Sequence, residues 1–110
     1  MIDRWNFLRG LGVLVAIWLA HGVTTVRGVG LGSLEFSLKE KIRSKSNEIT
    51  APRIWAYQRP GQGKDWKGGA IKDPQNARKW VRYAANKGVD GLKLVSYDPS
   101  IMNALIDEAK

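Results

Sequence analysis

The sequence predicts an α/β fold in which helices alternate with parallel strands. Three observations carry that prediction. Short runs rich in β-branched and aromatic residues, VTTVR, RIWAYQ and GLKLVSY, alternate with longer stretches of helical period. The chain between successive runs is long enough for a helical crossover, which parallel pairing requires. No hairpin signal joins any two of them.

Taken in order, residues 7–20 (FLRGLGVLVAIWLA) read as a buried helix that Gly22 would end as a left-handed cap. Arg4 and Arg9 ahead of this apolar run also fit a secretory leader, with the cytoplasm as the default compartment otherwise. The run is too short to span a bilayer, which takes ~20 residues. The first strand is expected at 23–27, followed by a loop containing Gly28, Gly30 and Gly32. Ser33 then caps a helix whose apolar stripe is Leu34, Leu38 and Ile42. A second strand is expected at 53–58, and the stretch from Pro60 to Gly69, with four glycines, reads as a flexible loop. Asp73 and Pro74 open the next helix, Gly88 closes it, and Ala77, Trp80, Val81, Ala84 and Ala85 form its buried stripe. A third strand is expected at 91–96. Pro99 starts a last helix with Ile101, Leu105 and Ala109 on one side.

Two architectures satisfy this order: a small three-layer sandwich, or three consecutive units of an eight-stranded barrel. Strand polarity favours the barrel. Alternation puts Thr25 and Arg27 on one face, and sets Lys93 between two leucines that point the other way. A lysine centred in a fully covered strand is costly unless it is paired or chemically altered.

HGVTTVRGVG, SLEFSLKEKIRSKSNEITAPRI, ARKWVRYAANKGVDGLKL and the closing IMNALIDEAK together resemble the metal-dependent amidohydrolase superfamily, in its imidazolonepropionase-like and prolidase-like branch. The similarity runs from about residue 8 to the end of the chain. Gly28 stands where such proteins often carry aspartate. The resemblance implies a (βα)8 TIM barrel of which this chain supplies strands two to four with their helices. It implies a hydrolase acting on amide or cyclic amide C–N bonds, with a small amide or peptide-like substrate. It also implies a divalent metal, zinc first among candidates, that activates water and polarises the carbonyl. Lys93 is the position carried over, as a carboxylated lysine bridging two metals; the plainer alternative is an ordinary lysine reaching a carboxylate at the barrel end. The histidine pair of the family's first strand, the histidines of its fifth and sixth strands and the aspartate of its eighth have no counterpart in these segments. A fragment, inactive alone and binding no cofactor by itself, is therefore expected.

Tyr57, Gln58 and Arg59 end the second strand and Tyr97 follows the third, at the end of the sheet where barrel enzymes contact substrate. His21 reads as a helix-end residue rather than a ligand. A lone histidine and the absence of cysteine leave this chain no multi-histidine metal site, no Ser-His-Asp triad and no thiolate chemistry. Gly-rich GVGLGS lacks the spacing of a dinucleotide loop, and GQGKDWKGG lacks the end of a phosphate loop. The formal net charge is +8, and residues 39–87 hold 13 basic against 4 acidic side chains. That excess supports a second class of function, a small basic module for nucleic acid or an acidic partner, although solvated helix faces account for it more simply. An open slice of barrel would also leave strand edges and apolar surface free to self-associate.

Overall fold

The structure, a computed structural model, describes residues 16–29 and 33–110. Residues 16–20 are helical, and the rest of the expected first helix lies outside the described residues. Then follow β1 (Thr25–Val29), α1 (Leu34–Lys45), β2 (Arg53–Gln58), α2 (Pro74–Lys87), β3 (Gly91–Leu92) and α3 (Pro99–Glu108). The strands form one parallel sheet in the order β1-β2-β3, with Arg27 opposite Trp55 and Gln58 opposite Leu92. Sequential, parallel neighbours are what the βα pattern predicts.

Two strand boundaries differ from expectation, each for an identifiable reason. Gly22 turns the chain at φ +86° and the Val23 amide closes back onto the Trp18 carbonyl, so pairing starts two residues late, at Thr25. The third strand, expected to reach residue 96, pairs only over Gly91–Leu92, with one further bond from the Lys93 amide to the Gln58 carbonyl at 2.8 Å. Its partner runs out: β2 ends at Gln58, and Pro60 has no N–H to extend the ladder.

Helix α2 follows its sequence signals closely. The Asp73 carboxylate accepts from the Asn76 amide at 2.8 Å, Pro74 occupies the first turn, and Gly88 caps the end at φ +97°. Ala77, Trp80, Val81 and Ala84 are buried, while Ala85, expected to join them, is exposed. They pack against Ile101, Ala104 and Leu105 of α3 and Leu34 of α1 to form the core.

Helix α1 does not bury the expected stripe. Leu34 is buried and Leu38 partly so, but Ile42 is 65% exposed. The face turned to the sheet instead carries Ser37 and Ser44, which are small enough for a close approach. Their hydroxyls are matched to fixed partners, Ser44 Oγ donating to the Pro52 carbonyl at 2.6 Å and Ser37 Oγ accepting from Gln58 Nε2 at 2.7 Å. Likewise, Ile17 and Trp18 are 44% and 40% exposed, so the described part of the first helix is not buried as expected.

On β2 the buried residues are Ile54, Ala56 and Gln58, alternating with exposed Arg53 and Trp55. Gln58 lies under α1, and Leu92 and Leu94 pack on the core, so the helices cover this face. Among the described residues the opposite face is uncovered.

Candidate functional site: the open face of the sheet

Strand alternation assigns residues to the open face. Thr25 and Arg27 of β1 lie beside Arg53 and Trp55 of β2, their register partners, and all four are exposed. Tyr57 comes next along β2. The Arg27 guanidinium carbon sits 5.3 Å from the centre of the Tyr57 ring, a cation–π distance. On its other side the ring lies against Gly91: a Cβ there would stand 2.6 Å from two ring carbons, so only glycine lets the ring lie across the start of β3. Lys93 follows at the C-terminal end of β3, exposed, on the face opposite the core-packed Leu92 and Leu94. Trp55, 50% exposed, gives this face apolar surface, and Val95 beyond the end of β3 is 44% exposed.

The substrate-contact residues expected from sequence divide. Tyr57 and Lys93 share the open face. Arg59 is exposed at the same end of the sheet. Gln58 points the other way, fully buried, with its amide held by Ser37, because neighbouring residues of one strand face opposite sides. Tyr97 packs partly buried against the core; burial raises its phenol pKa, while the nearby positive charge of Arg59 acts in the opposite direction.

The four-glycine loop is pinned, not free. Trp80 Nε1 donates to the Gln62 carbonyl at 2.8 Å, and Asn76 Nδ2 donates to the Gly68 and Ala70 carbonyls at 3.1 and 3.2 Å. Asp65 accepts from the Tyr83 hydroxyl and pairs with Lys87 at 2.6 Å. These two partners, Lys87 first, lower the Asp65 pKa to about 2. Burial and then the adjacent carboxylate push the Tyr83 phenol up to about 12. Gly63 lies so close to the Tyr83 ring that a side chain would collide with it. The glycines allow tight packing where composition suggests motion.

His21 Nδ1 donates to the Ile17 carbonyl at 2.8 Å, the helix-end role read from sequence. Among the described residues no three His, Cys, Asp or Glu side chains come together as a metal site. Lys93 is the candidate donor on the open face, and a single donor does not hold a metal whose sites take three or four ligands. Among the described residues no helix is long and apolar enough to cross a membrane.

Sequence comparison adds no family: neither a family model nor a curated protein matches this chain.

Two features of the site gave no signal in sequence. Arg27 and Tyr57 meet only once β1 and β2 pair. Asp90 and Lys41 meet across α1 and β3, where Lys41 Nζ donates to Asp90 Oδ1 at 2.7 Å and to the Gly88 carbonyl at 3.0 Å.

Proposed function

We propose that this chain is part of a (βα)8 barrel hydrolase of the metal-dependent amidohydrolase type, cleaving amide or cyclic amide C–N bonds. One observation supports the reading above others: three parallel strands in sequential order keep one face under helices and leave the other open, with Lys93 on the open side. In a closed barrel that side is the interior, and the C-terminal strand ends are where chemistry is placed. Tyr57 and Arg59 are the substrate-contact candidates, with Trp55 as an apolar wall, while Tyr97 packs against the core. Gln58 fits a packing role. The metal, zinc first among candidates, would take Lys93 as a carbamate together with ligands from other strands, and when bound it supplies an activated water. This chain alone is expected to be inactive.

The test uses the polypeptide encoded by the whole reading frame, loaded with zinc and assayed on N-acyl amino acid amides and lactams. Hydrolysis is expected, with most activity lost in Lys93→Ala and partly restored by a short carboxylic acid standing in for the carbamate. Full turnover by Lys93→Ala, or no hydrolysis of any member, overturns the reading.

The same face supports a second reading as a binding module. Among the described residues Arg43, Arg78 and Arg82 on the helices pair with carboxylates, whereas Arg27, Arg53 and Arg59 at the sheet have no ion pair. Uncompensated cations around an exposed Trp55 suit stacking on single-stranded nucleic acid. Binding to an oligonucleotide that weakens steeply with salt supports this reading, and no binding in low salt eliminates it.

A further inference from the structure

We propose that Asp90, held by Lys41, is the positioning residue for Lys93: its carboxylate replaces a backbone acceptor in the β2–β3 ladder and sets the register that puts Lys93 on the open face. The importance of Lys93 rests on the hydrolase reading above, whereas the register set by Asp90 is independent of it.

The geometry is specific. The Asp90 amide donates to the Ala56 carbonyl at 2.8 Å, and Asp90 Oδ2 accepts from the Ala56 amide at 2.8 Å, so one residue satisfies both polar groups of one residue of the central strand. The other carboxylate oxygen takes the Lys41 ammonium at 2.7 Å. Lys41 also reaches the Gly88 carbonyl at the end of α2, where a cation is favoured by the helix dipole. The two side chains are only 25% and 17% exposed, less than the other ion pairs that Lys87 and Arg82 make on the helix surface. One junction thus ties α1, the end of α2, β2 and β3 together.

Register here has few other determinants. Gly91 and Leu92 pair with β2, the Lys93 amide adds one bond to the Gln58 carbonyl, and the Tyr57 ring lies over Gly91. A slip of one residue would turn Lys93 toward the helices and Leu92 and Leu94 toward solvent. Asp90 prevents the slip because its carboxylate can reach the Ala56 amide only in the observed alignment. Neither partner touches the open face, so the pair acts through Lys93 and not on a ligand.

The test is hydrogen exchange with mass spectrometry on this chain, alongside acetylation of Lys93 measured against the exposed Lys67. In Asp90→Ala, the Ala56 and Lys93 amides are expected to exchange about tenfold faster or more, in line with loss of a hydrogen bond to a charged group, while the amides of α2 keep their protection. Lys93 acetylation should change relative to Lys67. Asp90→Asn retains an acceptor oxygen and should fall between wild type and alanine. Lys41→Met keeps the carboxylate and should loosen the same amides by a smaller factor, which keeps the proposal testable if Asp90→Ala does not fold. Unchanged exchange at Ala56 and Lys93, or equal acceleration in α2, overturns the positioning role. These readouts need no turnover, so a failed hydrolase reading leaves them intact.

Discussion

Trp80 joins the core to the loop that follows β2, and replacing it separates the two contributions. The side chain is fully buried among Ala77, Ala84, Ile101 and Leu105, and its Nε1 donates to the Gln62 carbonyl. Trp80→Ala removes the largest buried side chain in the molecule as described. Truncations of this kind cost ~3–5 kcal/mol, and the lost hydrogen bond adds about 1 kcal/mol. Against a total of ~5–15 kcal/mol for a small domain, the alanine variant should be largely unfolded or close to it. Trp80→Phe is the measurable case. It keeps most of the apolar volume but loses one ring and the bond to the loop, together about 2–3 kcal/mol. At an m-value of ~1–3 kcal/mol/M, the urea midpoint should fall by about 0.7–3 M. Exchange in residues 60–69 should rise further than exchange in α3, because the loop loses a tether as well as a neighbour. A phenylalanine variant within about 0.5 kcal/mol of wild type, with loop exchange unchanged, would show that neither the indole ring nor its bond to Gln62 anchors the loop.

Four other outcomes follow from the same structure. The Asp65 carboxylate has a folded pKa depressed to about 2, so its contribution is present above the unfolded value near 3.8 and is lost as pH falls through about 2; loop exchange corrected for its intrinsic pH dependence should rise across that window, and Asp65→Asn should abolish the dependence. Tyr83 has a raised pKa of about 12, so its contribution is complete below the unfolded value of 10.0 and disappears as pH climbs through about 12; Tyr83→Phe should loosen the loop already at neutral pH. Gly88→Ala meets no steric neighbour but must hold φ +97°, so thermal unfolding should report a loss of about 1 kcal/mol from backbone strain alone. Trp55→Lys with Val95→Lys should reduce hydrophobic-dye binding and self-association, measured by fluorescence and gel filtration; unchanged dye binding would place the sticky surface elsewhere.

The parts of the fold that the sequence makes legible are those with local causes. Asp73, Pro74 and Gly88 bracket α2 because capping is decided within one turn, and the alternation around Lys93 fixes its face from three consecutive residues. What escaped prediction depends on partners distant in sequence. The end of β3 is set by where β2 stops. The sheet-facing side of α1 is chosen by hydroxyls that match Gln58 and Pro52, so a stripe of leucine and isoleucine misleads there. Gln58 looks like a site residue because it is polar at a strand end, yet it is fully buried with its Nε2 donating to Ser37. The glycine-rich loop looks free because its anchors, Asn76, Trp80, Tyr83 and Lys87, belong to the following helix. Lys41 and Asp90 are ordinary charges in sequence and become a junction only when α1 crosses the sheet.

The claim that this sheet is one arc of an amidohydrolase-type barrel is tested most directly by sequencing the genomic DNA on both sides of the coding segment. One continuous reading frame is expected, with a His-X-His strand upstream and histidine-bearing and aspartate-bearing strands downstream, spaced as further βα units. Stop codons close on both sides, or flanking sequence without those ligands, would contradict it and leave the open face to the binding-module reading.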